Sequence, residues 1–231
     1  MRLVVGTSGF SYTEWRGSFY PEKLPESAML RAYAERLPSV EINNTFYRMP
    51  QAAVLEGWAS KVPASFSFAL KAPRRITHIG KLKNVADVVD SFFQTARVLG
   101  ERLGPVLFQL PPTFRKDEAI LAEFLALLPP SVRVALEFRH PSWFEESVYA
   151  RLAERQVALC AAEVDPDEGS SSPFVKTAPF GYVRLRRASY DEASLGEALQ
   201  RIRDLGVDEA FVYLKHEVLG PSYALSLLAK A

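Results

Sequence analysis

Ten polar side chains fall late in short apolar runs: Glu41, Asn43, Lys71, Gln109, Glu137, Arg139, Arg184, Arg186, Tyr213 and Lys215. Around most of them the residues alternate, as in Val40-Glu41-Ile42-Asn43, Val134-Ala135-Leu136-Glu137-Phe138-Arg139 and Tyr182-Val183-Arg184-Leu185-Arg186. In a β-strand this alternation sends successive side chains to opposite faces. The set then shares one face, and it holds five cations and two carboxylates. Buried charge is costly unless it is paired. Two carboxylates can neutralise two cations, and the surplus requires an anion. A carboxylate or phosphate group is the simplest, gripped bidentately by arginine. Glu41 and Glu137 can divide general acid and base roles, or hold a divalent cation between them. The same set also fits a solvated ion-pair network with no ligand.

Three histidines are present, His78, His140 and His216, and none forms a His-x-His or His-Glu-x-x-His pair. No zinc ligands are assigned, and the cofactor is left unknown. His140 beside Glu137 and Arg139, and His78 downstream of Lys71, are candidate acids or bases. The segment Gly6-Thr7-Ser8-Gly9-Phe10-Ser11-Tyr12 can present backbone amides to an anion, although it is not a P-loop. Trp15 and Tyr47 are candidate stacking surfaces for a sugar or base, set against ordinary packing over a rim. From Gly57 to Ala86 there is no Asp or Glu, while Lys61, Lys71, Arg74, Arg75, Lys81 and Lys83 are present.

The elements that must position these residues alternate. Strands are expected at Leu3–Thr7, Ser39–Asn43, Phe66–Lys71, Pro105–Leu110, Arg133–Phe138, Val157–Ala161, Gly181–Arg186 and Ala210–Lys215. Helical periods lie between most of them. One face runs Val85, Val88, Phe92, Ala96, Leu99 and Leu103; another runs Leu121, Phe124, Leu125 and Leu128 before Pro129-Pro130. Ser142-Trp143-Phe144-Glu145 reads as a capping box. Leu195, Leu199 and Ile202 form a face that Gly206 stops, and a last helix starts near Pro221. Eight βα units predict one (β/α)8 barrel across 1–231, with function at the C-terminal strand ends. The exception is 162–179, which has no helical period. Its Glu163, Asp165, Asp167 and Glu168 read as an acidic loop in place of the helix after strand six.

Of the 231 residues 48% are hydrophobic and 24% charged, and the net charge is +1. That excludes a disordered chain and a global field for nucleic acid. The one cysteine, Cys160, excludes an internal disulfide; it reads as core inside strand six. No apolar run is long enough for a signal peptide or a membrane span, so a cytoplasmic protein is expected.

The motifs together resemble the domain of unknown function 72 family, also called YecE-like. They are Gly6-Thr7-Ser8-Gly9-Phe10-Ser11-Tyr12 with Trp15, Gly17 and Phe19-Tyr20-Pro21; Val40-Glu41-Ile42-Asn43; and Thr45-Phe46-Tyr47-Arg48 with Pro50. Phe66-x-Phe68, Lys71 and Ile76-Thr77-His78 follow, then Leu103-Gly104-Pro105, Gln109-Leu110-Pro111-Pro112 and Phe114, then Glu137-Phe138-Arg139-His140 with Ser142-Trp143. The resemblance implies a TIM barrel and no established activity. Two motifs depart from it. Arg186-Arg187 stands where the family tends to read His-Gly, and Lys215-His216-Glu217 stands where it tends to have an Asn-Asn pair.

Three functions are compatible with these residues. The first is a hydrolase or lyase on a small anionic substrate, with Glu41, Glu137, His140 and His78 catalytic and the other named residues binding. The second is nucleic-acid handling through basic strand ends and aromatics. The third is a non-catalytic anion-binding barrel.

Overall fold

The structure, a computed structural model, describes residues 1–165 and 171–230. Eight short runs, each too brief for a stable helix, pair as parallel strands. They are β1 (Arg2–Ser8), β2 (Ser39–Ile42), β3 (Ser67–Lys71), β4 (Leu103–Gln109), β5 (Val134–Glu137), β6 (Ala158–Glu163), β7 (Phe180–Leu185) and β8 (Glu209–Leu214). Each strand neighbours the next, and β8 pairs with β1 to close the barrel. Parallel neighbours need a crossover, and helices supply it. These are α1 (Glu26–Ala34), α2 (Asn44–Tyr47), α3 (Ala52–Ala59), α4 (Ala86–Ala96), α5 (Glu118–Leu127), α6 (Glu146–Glu154), α7 (Glu192–Asp204) and α8 (Gly220–Ala229). Among the described residues no helix lies between β6 and β7, as the missing period predicts. None of the helices is long and apolar enough to cross a membrane.

Strand parity divides the apolar residues into two cores. Val40, Ile42, Phe68, Leu70, Leu136 and Val183 face outward and pack with the helices. Val4, Ala69, Leu107, Ala135, Cys160, Tyr182, Phe211 and Tyr213 face inward and fill the barrel. The filling is graded by size. Small inward residues on β3, β5 and β6 (Ala69, Ala135, Ala158, Ala162) leave room for the large ones on β7 and β8. That asymmetry lets Arg184 extend across the interior.

Three local expectations change. The Val85–Leu103 face is not one helix: α4 ends at Ala96, and a 3₁₀ turn over Arg97–Arg102 bends at Gly100, whose φ is 56°. The capping box does not form. Pro141 starts a 3₁₀ turn (Pro141–Trp143) that takes Ser142 inside it, and Glu145 is drawn to Lys116 instead. Glu163 does not belong to a loop; it is the last residue of β6, buried and held by Arg187 (2.9 Å) and Arg201 (2.6 Å). Asp165 accepts a bond from the Ala188 amide, while Asp167 and Glu168 lie outside the described residues.

Candidate active site at the barrel mouth

The centre of the mouth is an ionic triad drawn from three strands. Glu41 ends inward on β2, Glu137 is the last residue of β5, and Arg184 comes from β7. All three are at most 2% exposed. Arg184 Nη2 donates to Glu41 Oε1 at 2.9 Å, and its Nη1 donates to Glu137 Oε2 at 2.7 Å. Glu41 Oε1 also accepts from Ser8 Oγ (2.7 Å) and Asn43 Nδ2 (3.1 Å), and its Oε2 accepts from Tyr182 Oη (2.8 Å). Glu137 Oε1 accepts from Gln109 Nε2 (2.6 Å) and Arg139 Nε (3.0 Å). Every carboxylate oxygen is therefore engaged, and a divalent cation would have to displace the guanidinium. Among the described residues no group of three or more His, Cys, Asp and Glu is placed to hold a metal.

Burial by itself would push both carboxyls up. The Arg184 charge, with Arg139 at Glu137 and the hydrogen bonds each carboxylate accepts, outweighs it and holds Glu41 and Glu137 below the usual carboxylate range. Both stay ionised at neutral pH. Arg184 is likewise held charged: burial opposes this, and the two glutamates outweigh it.

Lys71, the last residue of β3, is 9% exposed. Its Nζ lies 4.3 Å from the centroid of the Phe46 ring on α2, a cation–π contact. Among the described residues that ammonium has no hydrogen bond or ion pair. Burial lowers its pKa to about 8; Arg184 and Arg139 push the same way, while Glu41 and Glu137 resist. The strand end is fixed from behind by Thr45, whose hydroxyl donates to the Lys71 carbonyl at 2.7 Å.

The chain leaving β3 enters a π-helical turn, Arg75–Ile79. Three non-glycine residues with positive φ follow: Lys81 (47°), Leu82 (67°) and Asn84 (52°). Such strain persists only where surrounding packing over-determines it, and it clusters at functional sites. The turn sets the His78 ring near-perpendicular to Phe46, centroids 4.9 Å apart, so Lys71 and His78 both meet the Phe46 ring. His78 Nδ1 pairs with Thr77 Oγ1 at 2.9 Å. Burial lowers its pKa, and the charges of Lys71, Arg139 and Arg74 lower it further, so the imidazole is neutral at pH 7.

The structure thus gathers Glu41, Asn43, Lys71, Gln109, Glu137, Arg139 and Arg184, with His78 beside them. Other expected members lie apart. Trp15 is buried, stacks on Tyr33 and donates from Nε1 to the Glu217 carbonyl, which corrects the stacking-surface expectation for it. Tyr213 is inward but sealed below the mouth, its hydroxyl 2.8 Å from Ser39 Oγ. It fills the barrel core and is closed off from the mouth. Tyr47 is 72% exposed at the rim. His140 Nδ1 accepts from the Ser142 amide at 3.2 Å and caps the local turn. Arg186 and Lys215 lie just beyond β7 and β8, half-buried and exposed respectively. Ser8, Phe46 and Tyr182 are members that charge counting overlooked. Parity on β1 and β7 would have found Ser8 and Tyr182, since both point inward with neutral side chains.

A hollow of about 200 Å³ beside the triad is lined by Ser8, Gly9, Tyr12, Asn43 and Trp58 among others. A larger one, about 580 Å³, opens at the opposite end among the starts of β5, β7 and β8. Its Arg133 is already paired with Glu209. The converging charged groups lie at the mouth, which is also where barrel chemistry sits.

Known proteins share this fold and sequence. Residues 4–230 match the family described as "Protein of unknown function DUF72". UPF0759 protein YecE of Escherichia coli is 34% identical over 116 residues, covering 50% of this chain and 43% of that protein. UPF0759 protein YunF of Bacillus subtilis is 30% identical over 155 residues, 64% of this chain and 54% of that one. The matched region spans about half the length of these curated relatives. The crystal structure of a DUF72 family protein from Thermotoga maritima superposes with a TM-score of 0.82 at 25% identity, covering 100% of this chain and 99% of the other. A match that begins in β1 and runs to the end of α8 leaves no element of the barrel outside it: the chain belongs to the DUF72 family.

Proposed function

We propose that this protein is an enzyme acting at the barrel mouth on a small substrate bearing a carboxylate or phosphate, by hydrolysis or lyase-type proton chemistry. The observation that carries this reading is the unequal distribution of charge. Arg184 is consumed by Glu41 and Glu137. Among the described residues Lys71 is left unpaired in a buried position, and Arg139, one-third exposed, pairs only through its Nε with Glu137. With the triad these groups carry one net positive charge, which a bound anion would compensate. Arg139 receives the anion in this reading, and Lys71 adds to the attraction while it is protonated. The two glutamates, charged and saturated with donors, set the field and hold the cations in place. His78, neutral and at the rim, carries the proton.

A thermal-shift panel of phosphorylated sugars, carboxylic acids, nucleotides and divalent metals tests it, because a ligand of the native state raises stability by mass action. One anionic class is expected to stabilise the protein, and Arg139→Ala to lose the effect. No shift with any anion would overturn the reading. A nucleic-acid reading keeps one supporting observation: exposed Tyr47 and Ile79 flank exposed Arg48, Arg74 and Arg75. Oligonucleotides in the same panel, across a salt series, test it. Binding that barely weakens with salt would exclude phosphate contacts.

A further inference from the structure

The geometry points to Lys71 as a covalent catalyst, an amine nucleophile for an aldehyde or ketone that also carries a carboxylate or phosphate. This rests on the mouth being the catalytic site proposed above, and it names the substrate class.

A lysine becomes a nucleophile when it is desolvated and set beside other cations, because its neutral form is then populated. Lys71 meets each requirement. It is buried at a C-terminal strand end, and its Nζ has a ring face on one side. Two carboxylates lie near enough to act on it, yet neither pairs with it, because Arg184 holds both. A lysine kept solely for structure would be expected to take one of those carboxylates. Here the arginine withholds them, and the amine is left free to react. Arg184 and Arg139 supply the neighbouring positive charge.

The step balances without an oxidant or reductant. The neutral amine attacks the carbonyl carbon and forms the C–N bond, while the π pair moves to oxygen. That oxygen takes a proton and the nitrogen gives one up, leaving a carbinolamine. A second proton on the hydroxyl lets the C–O bond break, so water leaves and an iminium remains. Amine, carbonyl and one proton give iminium and water. His78, which also packs against Phe46 and is close enough for the Lys71 charge to act on it, is the neutral group that relays the proton from solvent. The iminium then accepts the electron pair of the C–C bond to a hydroxyl-bearing neighbour, whose hydroxyl gives up its proton so that the fragment leaves as an aldehyde. Protonation of the resulting enamine carbon and addition of water then release the carbonyl product and return the amine. Between the two reaction types proposed above, this selects the lyase.

Borohydride trapping tests the inference. Wild-type protein is mixed near pH 8 with pyruvate, dihydroxyacetone phosphate or acetone, reduced, and mapped by peptide mass. The expected result is one reduced adduct on Lys71 with an anionic probe, at least about tenfold above any exposed lysine because far more of its amine is neutral. Acetone, which lacks an anion for Arg139, should label it much less. Lys71→Arg should abolish the adduct and keep the charge. Should that variant fail to fold, limiting reductive methylation of the wild type gives the same information, since Lys71 should react at lower pH than the other lysines. Adducts spread evenly over exposed lysines, or methylation of Lys71 no earlier than the rest, would overturn the inference. Thermal shifts with the same probes, without reductant, separate the two failures. Stabilisation without a Lys71 adduct sinks the nucleophile and leaves the anion site standing; neither effect sinks both.

Discussion

At the residue scale, Lys71 and Arg184 show how burial divides two cations. Arg184 has two carboxylates and stays charged; Lys71 has none among the described residues and holds its proton weakly. The consequence for stability follows from the sign. The unfolded lysine titrates near 10.4 and the native one at about 8, so between those values the unfolded chain binds more protons and stability rises with pH. Below pH 8 the native state carries the full penalty, about 3 kcal/mol. Lys71→Met should therefore be more stable than wild type at pH 7, with the difference shrinking between pH 8 and 10.5. Urea midpoints across that range check it, and a difference independent of pH would contradict the burial argument. Arg184→Met should do the opposite. It strands two buried carboxylates and should cost about 3–5 kcal/mol. Adding Glu41→Gln and Glu137→Gln should recover much of that loss, measured by the same midpoints.

At the scale of elements, β1 and β2 approach closely where Gly6 meets Ser39. A Cβ on Gly6 would lie 2.0 Å from the Ser39 carbonyl oxygen on β2, and 3.2 Å from Tyr33 Oη. Tyr33 Oη is the bolt there, donating to that carbonyl and accepting from the Thr7 amide, both at 2.8 Å. Gly6→Ala should cost about 3 kcal/mol or more, since neither partner is the free end of a flexible chain. Thermal unfolding of the variant reads this directly; a melting temperature equal to wild type would show that β1 and β2 can part without cost. The eight strands and most helices were legible from alternation and period. The capping box was not. A Ser-x-x-Glu pattern cannot say that Pro141 will start a turn one residue earlier, nor that Lys116, distant in sequence, will claim Glu145.

At the scale of the whole molecule, the Glu41–Arg184–Glu137 triad ties β2, β5 and β7 across the interior. Both carboxyls have folded pKa values below their ordinary 4.5, so the stability they contribute is present above that pH and lost as pH falls through the lower folded values. Cooperative acid unfolding should follow, with urea midpoints declining below about pH 4.5. In the Glu41→Gln/Glu137→Gln/Arg184→Met variant that decline should be flatter. An equally steep acid limb in the variant would place the acid-sensitive groups elsewhere.

The sequence by itself determined the barrel, the inward face of six of its strands and the family, because these follow from local period and from motifs that lie in order along the chain. It also placed Glu41, Lys71, Glu137, Arg139 and Arg184 in one set. Only the tertiary structure decided who pairs with whom. Parity tells which way a side chain points, whereas depth and reach depend on the stagger of strands around a closed barrel and on the size of residues opposite. For that reason Tyr213, inward like the rest, is sealed beneath the mouth, and Trp15 is packed away from it. The small residues Ala69, Ala135 and Ala162 let Arg184 reach both glutamates, and that reach leaves Lys71 without a partner.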